Sequence, residues 1–161
     1  MKVELWKSKI NTYEGYPYER CLQILEQKPE DVNECGVAGA EFDSSGTWSL
    51  LWSKGIGWHN DPLVGKWSAF LILYTKNYRF EVVESPDYIF SEQIFAGDIL
   101  IWSSHDEHRS TNAKVTIQSD NLPSHAIVTL CKEYDKKPTR KQAKEDLTKL
   151  LHKEIAANGK S

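Results

Sequence analysis

His59 and Asp61 stand in GIGWHNDPLVGKW (55–67), after a short apolar run and ahead of a Pro/Gly turn. In extended backbone alternate side chains share a face, so His59 and Asp61 can address one point. One imidazole and one carboxylate from a strand, joined by an imidazole from elsewhere, form the donor set of a facial-triad iron(II) site, which leaves the opposite coordination face open. The pair alone is a weak signal, because His105-Asp106-Glu107 also matches it. The position of His59, behind a strand-like run and before turn residues, favours the first match.

The surrounding elements determine whether such donors can meet. Tyr18 to Lys28 places Cys21, Leu22, Ile24 and Leu25 at helical spacing, and Pro29 ends the segment. From Gly36 to Tyr134 short apolar runs alternate with turn residues: 37–42, 47–52, 56–59, 67–74, 78–83, 88–95, 98–103, 113–118 and 125–134. No helical stretch separates them, which argues against a parallel α/β sheet. About eight strands of this kind predict a mainly β, double-stranded β-helix or jelly-roll sandwich. Ala143, Leu147, Leu150, Leu151 and Ile155 recur at three and four residues, predicting an amphipathic helix at 139–157. The expected organisation is a single domain over 1–161, with a jelly-roll core at 36–134 and a helix at either end.

A second informative stretch is FAGDILIWSSHDEHRS (95–110): a Gly-Asp turn, an apolar strand, a short polar link, then His108-Arg109. The order WSKGIGWHND, WSAFLILYTKNYRFEV, GDILIWSSHDEHR resembles the iron(II)/2-oxoglutarate-dependent oxygenases. GIGWHND followed by RFEV is similar to the AlkB-like branch, and IWSSHDEHR with Tyr74 to the prolyl-hydroxylase-like branch. The resemblance covers roughly residues 47 to 134. It implies that His59, Asp61 and His108 hold iron(II), with His108 preferred over His105 for the length of its link. It also implies 2-oxoglutarate as co-substrate and hydroxylation, or oxidative demethylation, as outcome.

That family usually binds the far carboxylate of 2-oxoglutarate with a cation on the strand after the distal histidine. Here that strand is SHAIVTLCKEY, and Ser124, His125 or Ala126 stands at the expected place. Tyr74, Lys76, Arg109 and Lys132 are the substitute candidates for the co-substrate, since a guanidinium or ammonium pairs a carboxylate. Trp52, Trp58, Trp67 and Trp102 are candidates to line the mouth, although tryptophans at strand spacing more often fill the core. The missing arginine keeps two alternatives open: a jelly-roll binding protein with a degenerate site, and a non-haem iron enzyme that does not use 2-oxoglutarate.

Bulk properties narrow the partners. The 161 residues are 40% apolar and 27% charged, with six tryptophans and a formal charge of −3, so no global attraction to nucleic acid is expected. Cys21, Cys35 and Cys131 are odd in number and widely spaced, unlike a disulfide framework or a paired-cysteine zinc site. No stretch approaches the roughly 20 apolar residues of a membrane helix, and no signal peptide is visible. The expectation is a soluble, cytoplasmic protein whose substrate is a protein side chain, a nucleotide or a metabolite. There is no nucleophile elbow, phosphate-binding glycine loop or Cys-x-x-Cys motif.

Overall fold

The computed structural model describes residues 2–7, 18–32, 34–61, 66–114 and 125–159. Ten strands and two α-helices run in the order β1 (Glu4–Lys7), α1 (Tyr18–Gln27), β2 (Asp31–Val32), β3 (Gly36–Phe42), β4 (Trp48–Ile56), β5 (Trp67–Lys76), β6 (Tyr78–Ser85), β7 (Tyr88–Gln93), β8 (Asp98–Ser103), β9 (His108–Asn112), β10 (Ala126–Tyr134) and α2 (Arg140–Glu154). A π-helical turn, Ile155–Gly159, follows α2. The strands form a large sheet ordered β1-β8-β5-β10-β4-β3-β2 and a small sheet ordered β7-β6-β9. Every named pairing is antiparallel. The architecture is the antiparallel jelly-roll sandwich that the strand pattern predicts.

Period-2 alternation divides the large sheet between two hydrophobic layers. Ala69, Leu71, Ile99, Ile101, Val128 and Leu130 face α1 and α2, where they meet Ile24, Leu25, Ala143, Leu147 and Leu151. Their neighbours Phe70, Ile72, Leu100, Trp102 and Ile127 face the small sheet and pack on Tyr78, Phe80, Val82 and Phe90. This double burial explains why WSAFLILY carries no polar alternation. The start of α2 is held by Thr139, whose side chain accepts from the Gln142 N–H. Glu4 of β1 pairs with Arg140 and Lys137 at 2.9 Å each, which offsets the basic charge at that helix end.

Several expected boundaries differ. The runs 47–52 and 56–59 belong to one path, with β4 continuing through Gly55 to Ile56. Gly55 has a φ of 133°, a left-handed conformation that glycine adopts without steric cost. Most of the expected strand at 113–118 lies outside the described residues. β1 and β9 were not expected, because neither ELWK nor HRSTN alternates cleanly between apolar and polar residues. In β9 the inward positions are His108, Ser110 and Asn112, all buried.

Leu147 has no exposed surface and seats α2 on the large sheet. Leu147→Ala should lower unfolding free energy by about 2–5 kcal/mol, read by urea denaturation. It should leave metal affinity at the site described below unchanged. A loss below about 0.5 kcal/mol would mean that the helix does not complete the core.

Candidate metal centre

The chain beyond β4 forms a fourth, one-residue rung on the small sheet. His59 and His108 make an isolated antiparallel bridge. His59 N–H donates to the His108 carbonyl at 3.1 Å, and His108 N–H donates to the His59 carbonyl at 2.9 Å. Side chains of a directly opposed pair project from the same face, and the two imidazole centroids are 4.2 Å apart. Two residues on, Asp61 returns to that face, and its N–H donates to the Ser104 carbonyl at 2.9 Å. His59, Asp61 and His108 thus offer one donor atom each, all within 4.8 Å of one another. Among the described residues this is the one group of three such side chains.

The orientation of the rings matters more than their proximity. His59 Nδ1–H donates to the Gly57 carbonyl, and His108 Nδ1–H to the Asp106 carbonyl, at 2.7 Å each. A carbonyl only accepts, so both imidazoles carry their proton on Nδ1 and turn Nε2 toward Asp61. His108 Nε2 lies 3.0 Å from Asp61 Oδ2, and His59 Nε2 lies 3.7 Å from the same oxygen. His108 therefore faces an acceptor at each ring nitrogen. A neutral imidazole has one N–H, so a proton or a metal cation must stand between Nε2 and the carboxylate. The residues fit a divalent ion. Ligand atoms at right angles about an ion with bonds of about 2.1 Å lie about 3 Å apart.

Burial and charge are graded across the site. The His108 side chain is 4% exposed, that of His59 17% and that of Asp61 42%, so the site opens on the Asp61 side. Trp102 abuts His108 edge-on at 4.3 Å, and Phe80 lies 6.0 Å away. Burial alone would raise the Asp61 carboxyl. The hydrogen bond with His108 and the electrostatic attraction of the His108, His59 and His105 side chains outweigh it and hold the carboxyl below its usual range. Asp61 is thus ionised at neutral pH, as a metal ligand must be.

Beside these donors, a cavity of about 250 Å³ runs between the sheets. Its wall combines Trp52, Trp102, Phe70, Phe80, Tyr78 and Ile127 with Ser49, Ser53, Ser68, Thr129, Cys131, Glu133 and the three donors. Burial pushes the Cys131 thiol up to about 12, so it stands as a neutral thiol. Neither Lys nor Arg lines the cavity among the described residues.

The substitute cations expected from sequence sit elsewhere. A register shift in the β5–β10 ladder pairs Val128 with Tyr74 but Thr129 with Ile72. The extra residue turns Tyr74 out of the sandwich, against Tyr18 of α1 at 5.4 Å and into the helix-side core. Lys76, beyond the shift, is exposed. The Arg109 guanidinium is bound to Glu81 at 2.7 Å and lies over the Trp58 ring at 4.7 Å. Lys132 alternates with the cavity residues Cys131 and Glu133, and its ammonium reaches Thr47 at 3.3 Å. None of these four lines the cavity formed by the described residues.

Of the three residues at the place of the missing arginine, Ser124 lies outside the described residues and Ala126 packs on the helix side. His125 Nε2 is 3.1 Å from Ser110 Oγ, which also accepts from the Ile56 N–H at 3.0 Å. Burial lowers the His125 pKa, so the ring is neutral at neutral pH and brings no positive charge. Ser110 was missed from sequence; two residues beyond His108, it shares that residue's inward face. Of the tryptophans, Trp102 lines the cavity, Trp52 belongs to the helix-side core where Trp67 also packs, and Trp58 is exposed.

No family model matches the chain, and no curated protein does. Solved structures similar to it include oxalate decarboxylases at 17% identity. One is described for its substrate binding mode (TM-score 0.45), one is a two-residue deletion mutant from Bacillus subtilis (TM-score 0.45), and one is the Bacillus subtilis protein with Mn(II) centres (TM-score 0.44). Each alignment covers 71% of this chain and 30% of the other. The chain therefore spans less than a third of those proteins.

Two outcomes follow from the geometry. His59→Ala and His108→Ala should each weaken Mn(II) or Fe(II) binding by more than about 100-fold in calorimetry, since losing even an outer-shell partner costs roughly 10–100-fold. Affinity within threefold of wild type in either variant would dissolve the site. The second outcome concerns His125, whose folded pKa lies below the ordinary value of about 6.5. As pH falls below that value the unfolded chain takes up a proton first, so the folded state loses stability on the acid side and gains nothing above it. His125→Gln should therefore flatten the stability curve between about pH 7 and 5, as followed by denaturation midpoints; an unchanged slope would contradict the assignment.

Proposed function

We propose that this chain is a mononuclear iron(II) oxygenase that acts on a small molecule in the cavity beside His59, Asp61 and His108, without a dicarboxylate co-substrate. The observation that carries the reading is the pair of Nδ1–H···O=C anchors, which aim two Nε2 lone pairs at one ionised carboxylate. Two imidazoles and a carboxylate on one face are the donor set of non-haem iron(II) oxygenases. Iron(II) bound there would supply dioxygen activation, and insertion of both oxygen atoms into the substrate balances without a further reductant.

The protein's own part is positional. The backbone bridge fixes the separation of the imidazoles, and the two carbonyls fix their tautomers. Trp102 and Phe80 keep water from the buried side of His108, while the exposed edge of Asp61 leaves an approach from solvent. Phe70, Phe80 and Ile127 give a substrate an apolar bed within the sandwich.

A second reading, the 2-oxoglutarate-dependent oxygenase, is favoured by the order of segments from His59 through the Gly-Asp strand to His108. Against it stands the described cavity wall, which presents Glu133 and neither Lys nor Arg to the far carboxylate of 2-oxoglutarate.

Anaerobic titration separates the readings. We expect one iron(II) to bind per chain and to accept nitric oxide, a dioxygen surrogate, with a new paramagnetic resonance signal. Added 2-oxoglutarate should give no visible charge-transfer band and, in air, no succinate. A band that requires both iron and 2-oxoglutarate, together with succinate release, would replace the proposal with the second reading. Failure to bind iron at all would remove both.

A further inference from the structure

The His59–His108 bridge stands alone because the two rings take the carbonyls that would extend it. In an antiparallel ladder, pairs that exchange both hydrogen bonds recur every two residues. The neighbouring rungs would therefore be Gly57 opposite Ser110 and Asp61 opposite Asp106. Instead the Gly57 carbonyl accepts from His59 Nδ1–H, and the Gly57 N–H donates to the Cys35 carbonyl. The Asp106 carbonyl accepts from His108 Nδ1–H, and the Asp61 N–H goes to the Ser104 carbonyl. Turning both imidazoles toward one point thus takes away the backbone bonds that would hold their register.

On the Gly57 side, a side chain stands in for the lost rung. Ser110 projects inward from β9 and is 6% exposed. Its Oγ accepts from the Ile56 N–H at 3.0 Å, lies 3.1 Å from His125 Nε2 and hydrogen-bonds the Tyr78 side chain. A serine hydroxyl donates once and accepts twice, so these three partners fill its capacity. The partners are themselves held in place. Tyr78 is buried, and its ring centroid lies 5.8 Å from that of His125. The His125 ring rests over Gly55, where an added Cβ would come within 3.2 Å of Cε1 and Nε2. We infer that Ser110 is a positioning residue for the metal centre: its hydroxyl, fixed by Tyr78 and His125, ties the end of β4 to β9 and keeps His59 opposite His108. The inference rests on the proposal that these imidazoles share a metal ion, and it adds the group that sets their register. Ile56 stands three residues before His59 and Ser110 two after His108, so a bond between them limits how far the rings can part.

Mn(II) binding to the full chain should be measured by calorimetry for the native protein, Ser110→Ala, Ser110→Thr and Leu147→Ala. Ser110→Ala removes the hydroxyl and should weaken Mn(II) by roughly 10- to 100-fold, the usual cost of losing a group that orients metal ligands. Ser110→Thr keeps a hydroxyl at the same place and should stay within about threefold of native, well short of that loss. Leu147→Ala loosens the fold from the far side of the large sheet and should leave affinity unchanged, which separates positioning from general destabilisation. Backbone amide exchange in the native chain gives a second readout that needs no variant. Zn(II), a diamagnetic stand-in, should slow the Ile56 amide together with that of His59, because one local opening exposes both.

Native-like affinity in Ser110→Ala would overturn the inference, as would a loss in Ser110→Thr or Leu147→Ala as large as that in Ser110→Ala. A His59 amide slowed by Zn(II) beside an unchanged Ile56 amide would overturn it too. In each of these cases the native chain still binds the ion, and the metal reading stands. Absence of Mn(II) binding by the native chain would remove that reading and this inference with it.

Discussion

Two backbone hydrogen bonds between His59 and His108 hold this structure's chemistry together. They join positions far apart in sequence into a directly opposed pair, and such a pair has its side chains on one face. Register makes the arrangement all-or-none: a slip of one residue would send the imidazole of His59 to the opposite face. The anchor is reinforced on both sides. Asp61 N–H donates to the Ser104 carbonyl, and Ser104 N–H donates to the Lys66 carbonyl at 3.0 Å, so the segment that carries the carboxylate is tied to the end of β8 just before the distal histidine.

The sandwich around this rung sorts charge by face. The large sheet is apolar on both sides, one against helices and one against the small sheet, and the register shift in β5 decides which side Tyr74 joins. Because the shift precedes Tyr74, that tyrosine serves the outer core while Phe70 and Ile72 serve the inner one. Arg109, adjacent to His108 in β9, points outward by the same alternation that points His108 inward, and its guanidinium is spent on Glu81 and Trp58. The interior is thus left with aromatic rings, hydroxyls, a thiol and carboxylates. That composition suits a metal cation.

Much of this was legible in the amino-acid sequence. The run DILIWS predicted β8 to the residue, and the spacing of Ala143, Leu147, Leu150 and Leu151 predicted α2, because in both cases burial writes itself as an apolar period. HRSTN escaped notice for the opposite reason: its inward positions are His, Ser and Asn, polar residues that are buried without writing an apolar period. The convergence of His59, Asp61 and His108 was suggested by resemblance and by the period of a strand, but the carbonyl anchors at Gly57 and Asp106 are backbone groups that no side-chain pattern reveals. The face of Tyr74 was not readable either. A register shift depends on how two strands match, and neither strand's sequence announces it.

The central claim is that one divalent ion is shared by the two Nε2 atoms and the Asp61 carboxylate. X-ray absorption on the iron(II)-loaded protein tests it directly, because imidazole rings leave a multiple-scattering pattern that carboxylates and water do not. The account predicts two imidazole nitrogens at about 2.1 Å from iron in the native chain, and one when His108 is replaced by Gln. A spectrum without imidazole scattering, or one that His108→Gln leaves unchanged, would contradict it.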